Sequence, residues 1–265
     1  MCASDGSVGD LVEIPSDNLV KRLQGMRTGV RSAARLIERE LQDEGVKYRS
    51  ALVTLTYRDG EEWHPRDINT LLSHYRKWAE RRGAWVRYVW VMELTKRGRP
   101  HYHIVFFLPR GVTPPLPDKQ GWWRKGSTNA KWARYPVSYI SKYASKGFGS
   151  GSIPKGARIW GCSASSPTFR CRLRWFLAPS WLRKLVPFED GVKRVRQWWV
   201  NAATGWGYLS PWLFDSVGSG SVVLRYVGWS LDRVFIPSAA CAEPPIPPPP
   251  ARSAPLSKRS LILGR

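Results

Sequence analysis

Two histidines, His101 and His103, stand two residues apart at the head of the apolar run Ile104-Val105-Phe106-Phe107. Side chains two apart on a strand point to the same face, so this spacing projects both imidazoles together. That is half of a divalent-metal site. The third ligand is read from the segment before it. Val86 to Leu94 reads as a strand, and Thr95 to Pro100, with Gly98 near its middle, reads as a hairpin turn. With Gly98 at the turn centre, Glu93 lies opposite His103; one pleat along, it lies opposite His101. Directly opposed residues share a face, so both registers aim Glu93 at the histidines, and only a one-residue slip turns it away. A His, His, Glu set with open positions suits Mg²⁺ or Mn²⁺ acting on phosphate oxygens. The other two histidines, His64 in a turn and His74 on a helix, carry no such pattern.

A second constellation lies downstream. From about Pro136 to Lys146 the chain reads as a helix, and Tyr139, Lys142, Tyr143 and Lys146 fall along one of its faces. A phenol has a free pKa of about 10, so a nucleophilic tyrosine needs help to lose its proton. A neighbouring ammonium favours the phenolate and stabilises charge developing on a phosphate. Tyr139 with Lys142 meets that need. Tyr143, one turn on, is a second phenol in reach, whereas Tyr135 precedes Pro136 at the helix edge.

The elements that must hold these residues follow from periodicity. Leu19 to Gln42 reads as a helix with Val30, Ala33, Ala34, Ile37 and Leu41 on its apolar side and Arg27, Arg31, Arg35 and Arg39 as a basic stripe. Ser50 to Tyr57 is a β-branched, apolar strand. Pro65 to Arg82 reads as a helix with Ile68, Leu71, Leu72, Tyr75 and Trp78 inward and Gly83 at its end. The strands Val86 to Leu94 and His101 to Leu108 are apolar on both faces, which places them centrally in a covered sheet. The expectation is an α+β fold with a central antiparallel sheet and flanking helices. Four regions are expected: a basic helical segment (1–45), a sheet-containing domain with the His and Tyr constellations (46–156), a basic Trp-rich region (157–236), in which Val222 to Val227 reads as a strand, and a Pro-rich, disordered tail (237–265) containing EPPIPPPP.

Composition points to the partner. The 265 residues carry 42 Lys and Arg against 20 Asp and Glu, a formal charge of +22. Cations placed on phosphates release condensed counterions, so nucleic acid is the leading partner. Fifteen Trp, several beside Arg or Lys as in Trp122-Trp123-Arg124-Lys125, suit single strands whose bases stack on aromatic rings. No apolar run reaches the ~18 residues of a membrane span, and the opening MCASDGSVGD lacks the features of a signal peptide. Four scattered cysteines without a CxxC pair fit free thiols in a reducing cytoplasm. No GxxxxGK[ST] phosphate loop occurs, so an ATP-driven helicase is not expected in this chain.

Three segments resemble the HUH endonucleases, in particular the initiators of rolling-circle replication in filamentous phages and plasmids. ALVTLTY (51–57) is similar to that family's first motif, GRPHYHIVFFLP (98–109) to its second and YISKYASKG (139–147) to its third, the YxxK motif. The resemblance covers roughly residues 50–150. It implies a sheet related to the RNA-recognition fold, with both histidines on a middle strand. It also implies a chemistry: His101, His103 and Glu93 hold the metal, and Tyr139, with Lys142 as its partner, attacks a phosphodiester to leave a 5′-phosphotyrosine and a free 3′-OH. Tyr143 stands as a second tyrosine, as in two-tyrosine members. The implied partners are single-stranded DNA at an origin and a host helicase. Relaxases and transposases of the same superfamily share this chemistry, and a non-catalytic single-strand-binding protein would share the charge and Trp content but has no use for the His-Tyr set.

Overall fold

The computed structural model describes residues 18–95, 97–146, 153–217, 221–228 and 233–235. The lead-in and the Pro-rich tail lie outside the described residues.

Five strands make the main sheet: β1 (Tyr48–Tyr57), β2 (Arg87–Leu94), β3 (Pro100–Pro109), β4 (Gly126–Trp132) and β5 (Trp160–Cys162), in the order β4-β1-β3-β2-β5 and antiparallel throughout. The α+β architecture is thus the one expected, with β3 at its centre. β3 is buried almost end to end because both its faces are covered. Tyr102, Ile104 and Phe106 look toward α2 (Asp67–Glu80), where Tyr75 packs on Phe106 with ring centroids 4.3 Å apart. His101, His103, Val105 and Phe107 look the other way, toward α1 (Asn18–Asp43) and α3 (Pro136–Lys146).

The helices form where their apolar stripes predict. Val30, Ala33, Ala34, Ile37 and Leu41 of α1 are buried, as are Ile68, Leu71, Leu72, Tyr75 and Trp78 of α2. Arg31 and Arg35 stay exposed, while Arg27 donates to the Ser145 carbonyl at the end of α3. One difference concerns the start of α2, which begins at Asp67 rather than Pro65. A turn precedes it, closed by Asp67 N–H donating to the His64 carbonyl and His64 N–H donating to the Asp67 carboxylate. Gly29 of α1 faces Trp160 of β5, and a Cβ there would overlap the indole ring. Gly29→Val should therefore destabilise the fold by about 1–3 kcal/mol in urea unfolding through overpacking. An unchanged midpoint would show that the helix and the edge strand have room to part.

Beyond residue 157 the chain has more order than its sequence periodicity reveals. Ser166 caps α4 (Pro167–Leu177) by accepting from Phe169 N–H at 3.0 Å, and α5 (Ser180–Leu185) follows. A second sheet, ordered β11-β8-β7-β6, comprises β6 (Val192–Val195), β7 (Trp198–Asn201), β8 (Gly207–Tyr208) and β11 (Val234–Phe235). Ala178, Leu182, Val186, Val192, Trp206 and Tyr208 form its own small core. β9 (Trp212–Val217) and β10 (Ser221–Tyr226) pair as a hairpin, which contains the strand expected over 222–227.

Candidate active site

The β2–β3 register decides where Glu93 sits. Glu93 pairs directly with His101 and Val91 with His103, so the turn centre is one residue earlier than Gly98, and Gly98 takes the left-handed conformation (φ +73°) that suits it. All three side chains emerge on the α1/α3 face. Glu93 then reaches diagonally, placing Oε1 2.9 Å from His103 Nε2. The two imidazoles stack with centroids 4.7 Å apart. One ligand atom from each of Glu93, His101 and His103 lies within 4.8 Å of the others, the sole such group of three or more among the described residues. His64 and His74 are elsewhere, one bonded to the Arg66 N–H and the other stacked on Trp122.

The residues present fit a divalent ion. His101 Nε2 and Glu93 Oε2 are buried with no hydrogen-bond partner, and buried polar atoms are rarely left so. Burial, and then the neighbouring His103, lower the His101 pKa to about 4, which keeps its imidazole neutral with a lone pair to give. Burial alone would raise Glu93, but the His103 hydrogen bond and the charges of His103, Lys146 and His101 outweigh it and hold the carboxyl below its usual range. An anionic carboxylate beside the neutral imidazole of His101 is the state in which these two groups bind metal.

α3 closes over this cluster. Its buried residues Pro136, Ile140 and Ala144 set its rotation on the sheet. That rotation brings Tyr143 flat onto His103, with centroids 3.4 Å apart and planes 15° apart. Lys146 sits with Nζ 3.5 Å from Glu93 Oε2 and 4.8 Å from the centre of the Tyr143 ring. Tyr139, one turn back, is 41% exposed, and neither its side chain nor that of Lys142 bonds to any described residue. The sequence YISKYASK holds two consecutive YxxK units, and the second, Tyr143 with Lys146, is the one that touches the cluster.

A strand-borne His-His-Glu cluster roofed by a Tyr-Lys helix can now be set beside known families. Residues 50–148 match the family model for the replication-associated protein ORF2. Over that span the chain is similar to this replication-associated family. The match begins in β1 and ends just past α3, so it takes in the sheet through β4, the three clustered side chains and both tyrosines. No curated protein and no solved structure matches the chain. No helix among the described residues is long and apolar enough to cross a membrane.

The matched span contains one site residue that sequence reasoning missed. Thr54 of β1 stands directly opposite His103, and its Oγ1 lies 3.2 Å from His103 Nδ1. A histidine that ligates through Nε2 carries its proton on Nδ1, and with a metal bound there Thr54 Oγ1 would accept that proton and fix the tautomer. Thr54→Val keeps the shape and removes the acceptor. Mn²⁺ affinity should fall about 10- to 100-fold, measured by calorimetric titration. Affinity equal to that of the unaltered protein would mean that His103 binds no metal or needs no orientation. A cavity of about 300 Å³ is lined by Thr56, which pairs with His101, by Thr95, and by Arg97 and Arg99, both ion-paired with Asp59.

Proposed function

We propose that this protein cuts one strand of DNA at a replication origin by attack of a tyrosine on a phosphodiester, the chemistry of an HUH-type rolling-circle initiator. One observation carries the reading: a phenol stacked on His103 of a His-His-Glu cluster in which the buried His101 Nε2 has no hydrogen-bond partner. Phenol, ammonium and candidate ligands converge on one spot, as activated nucleophiles require.

Glu93, His101 and His103 would hold Mg²⁺ or Mn²⁺, which when bound polarises a phosphate oxygen. His103 and α3 orient the Tyr143 ring, and the Lys146 ammonium over that ring would offset charge developing on the phosphate. The phenolic oxygen attacks phosphorus, a P–O(Tyr) bond forms and the P–O3′ bond breaks. The phenol loses a proton and the departing 3′-oxygen gains one, leaving a 5′-phosphotyrosine and a 3′-OH that primes synthesis. Arg97 and Arg99, on the turn between β2 and β3, would meet the charged backbone of the strand. Tyr139, exposed one turn away, is placed to act in a second transfer. Unwinding would fall to a separate helicase of the host, and the site of action would be the host cytoplasm.

The test incubates the full chain and supercoiled origin-bearing DNA with Mn²⁺ and looks for nicked circles bearing protein at a 5′ end. Covalent attachment that requires metal is the expected result. Tight, metal-independent binding of single strands with no nick on any origin DNA would replace this reading by that of a binding protein.

A further inference from the structure

The second sheet ends in a feature that the nicking chemistry leaves unused. β6 is its edge strand, joined to β7 by the two-residue turn Arg196-Gln197. Such turns demand a positive φ, a conformation that costs glycine nothing and other residues something. Here the position is filled by Arg196, at φ +52°, the one non-glycine residue with positive φ among those described. All five residues from Lys193 to Gln197 are exposed, including Val195 at 47%. Lys193, Arg194 and Arg196 form no ion pair with any described carboxylate.

The root of this hairpin is rigid while its tip stands free. Val192 is fully buried, Trp199 and Tyr208 pack into the small core, and Asn201 is tied to Asp190 and to the N–H groups of Ala203 and Thr204. Arg194 stacks across the strand pair on Trp199, 4.9 Å from the ring centre, which stiffens it. Cations on an edge strand can simply discourage strand addition by another chain. That explains Lys193 and Arg194, but not an arginine held in a glycine conformation at the tip. The turn requires the positive φ but not an arginine, and a non-glycine residue kept in a disfavoured conformation points to a use for its side chain.

We propose that the β6–β7 hairpin is a duplex-DNA contact, its three cations on the phosphates of the double helix. A two-stranded ribbon with a narrow tip matches the width of the major groove, and a tip with three cations and no acid matches the charge of its walls. The occupant is double-stranded DNA, distinct from the strand that reaches the tyrosines. The contact does not depend on cleavage, so it stands or falls separately from the nicking reading.

The experiment measures binding of the full chain to a short mixed-sequence duplex, and to one of its strands alone, across a salt series by fluorescence anisotropy. Two hairpin variants are compared: Arg196→Gly, and the triple Lys193→Gln, Arg194→Gln, Arg196→Gly. A charge-matched control replaces Arg76 and Lys77 of α2 and Arg81 at its C-terminal cap by Gln. The triple variant should lower the slope of log K against log salt by about 3 and weaken duplex binding by on the order of tenfold or more. The control should change it much less, and single-strand binding should fall less than duplex binding. Arg196→Gly should melt at the same temperature or higher, since glycine suits the turn, yet lose about one unit of salt slope. Equal losses in hairpin and control variants, equal losses on duplex and single strand, or unchanged duplex binding would each overturn the proposal.

Discussion

Tyr143→Phe is expected to reduce nicking of origin DNA by about 10³-fold or more, because it removes the attacking oxygen and nothing else. The ring of phenylalanine can keep the stack on His103, so the fold and Mn²⁺ binding should be unchanged; both are read by melting with and without the ion. Tyr139→Phe should leave first-strand nicking within a few-fold, since that side chain is exposed and makes no contact with the cluster. If it affects anything, it should affect a later strand transfer, seen as covalent complex that accumulates without resealing. The opposite result, loss in Tyr139→Phe and retention in Tyr143→Phe, would keep the chemistry and move the nucleophile one turn toward the start of α3. Lys146→Met should mimic part of the Tyr143 effect by removing the ammonium near the phenol and Glu93.

The contrast between the two tyrosines shows where sequence reasoning reaches its limit. The helix itself was legible to the residue, bounded by Pro136 and by Gly147 just beyond Lys146. Spacing shows that four side chains share a face of a helix. It does not show how that helix is rotated on its sheet, and Ile140 and Ala144 set the rotation by burying themselves. The His-Glu cluster was legible because it lies within one hairpin, where a short turn limits the register to two choices that both work. Thr54 was not, because β1 meets β3 across the intervening α2 and β2, and no local signal fixes the register of such strands. β4 was hidden for a different reason. Its sequence GSTNAKW is polar and mostly exposed, so it is a strand by virtue of its hydrogen bonds to β1 rather than any apolar alternation. In α4 the signal was present, a serine cap followed by Pro167 at the first turn, but basic residues on its face obscured the apolar stripe.

His101→Ala gives the sharpest separation between a metal site and a structural histidine. In a structural role, removing a buried side chain costs stability. Here the Nε2 atom is buried without a partner, so the metal-free protein is already carrying an unsatisfied group at this position. The apo variant should melt close to the apo parent, part of the lost packing being offset by the loss of that group. In Mn²⁺ at about 100 times its Kd, the parent should gain roughly 2.7 kcal/mol and the variant almost none. Nicking should fall with the ion, while affinity for single-stranded DNA, which rests on charge and aromatic rings, should hold. His103→Ala is the less clean experiment, since His103 is 3% exposed and supports Tyr143, so its loss would disturb packing as well as ligation. A His101→Ala protein that still gains stability from Mn²⁺ and still nicks would place the catalytic centre away from this cluster. A variant that loses both while keeping its apo melting temperature would tie Glu93, His101 and His103 to the ion, and the ion to the cut.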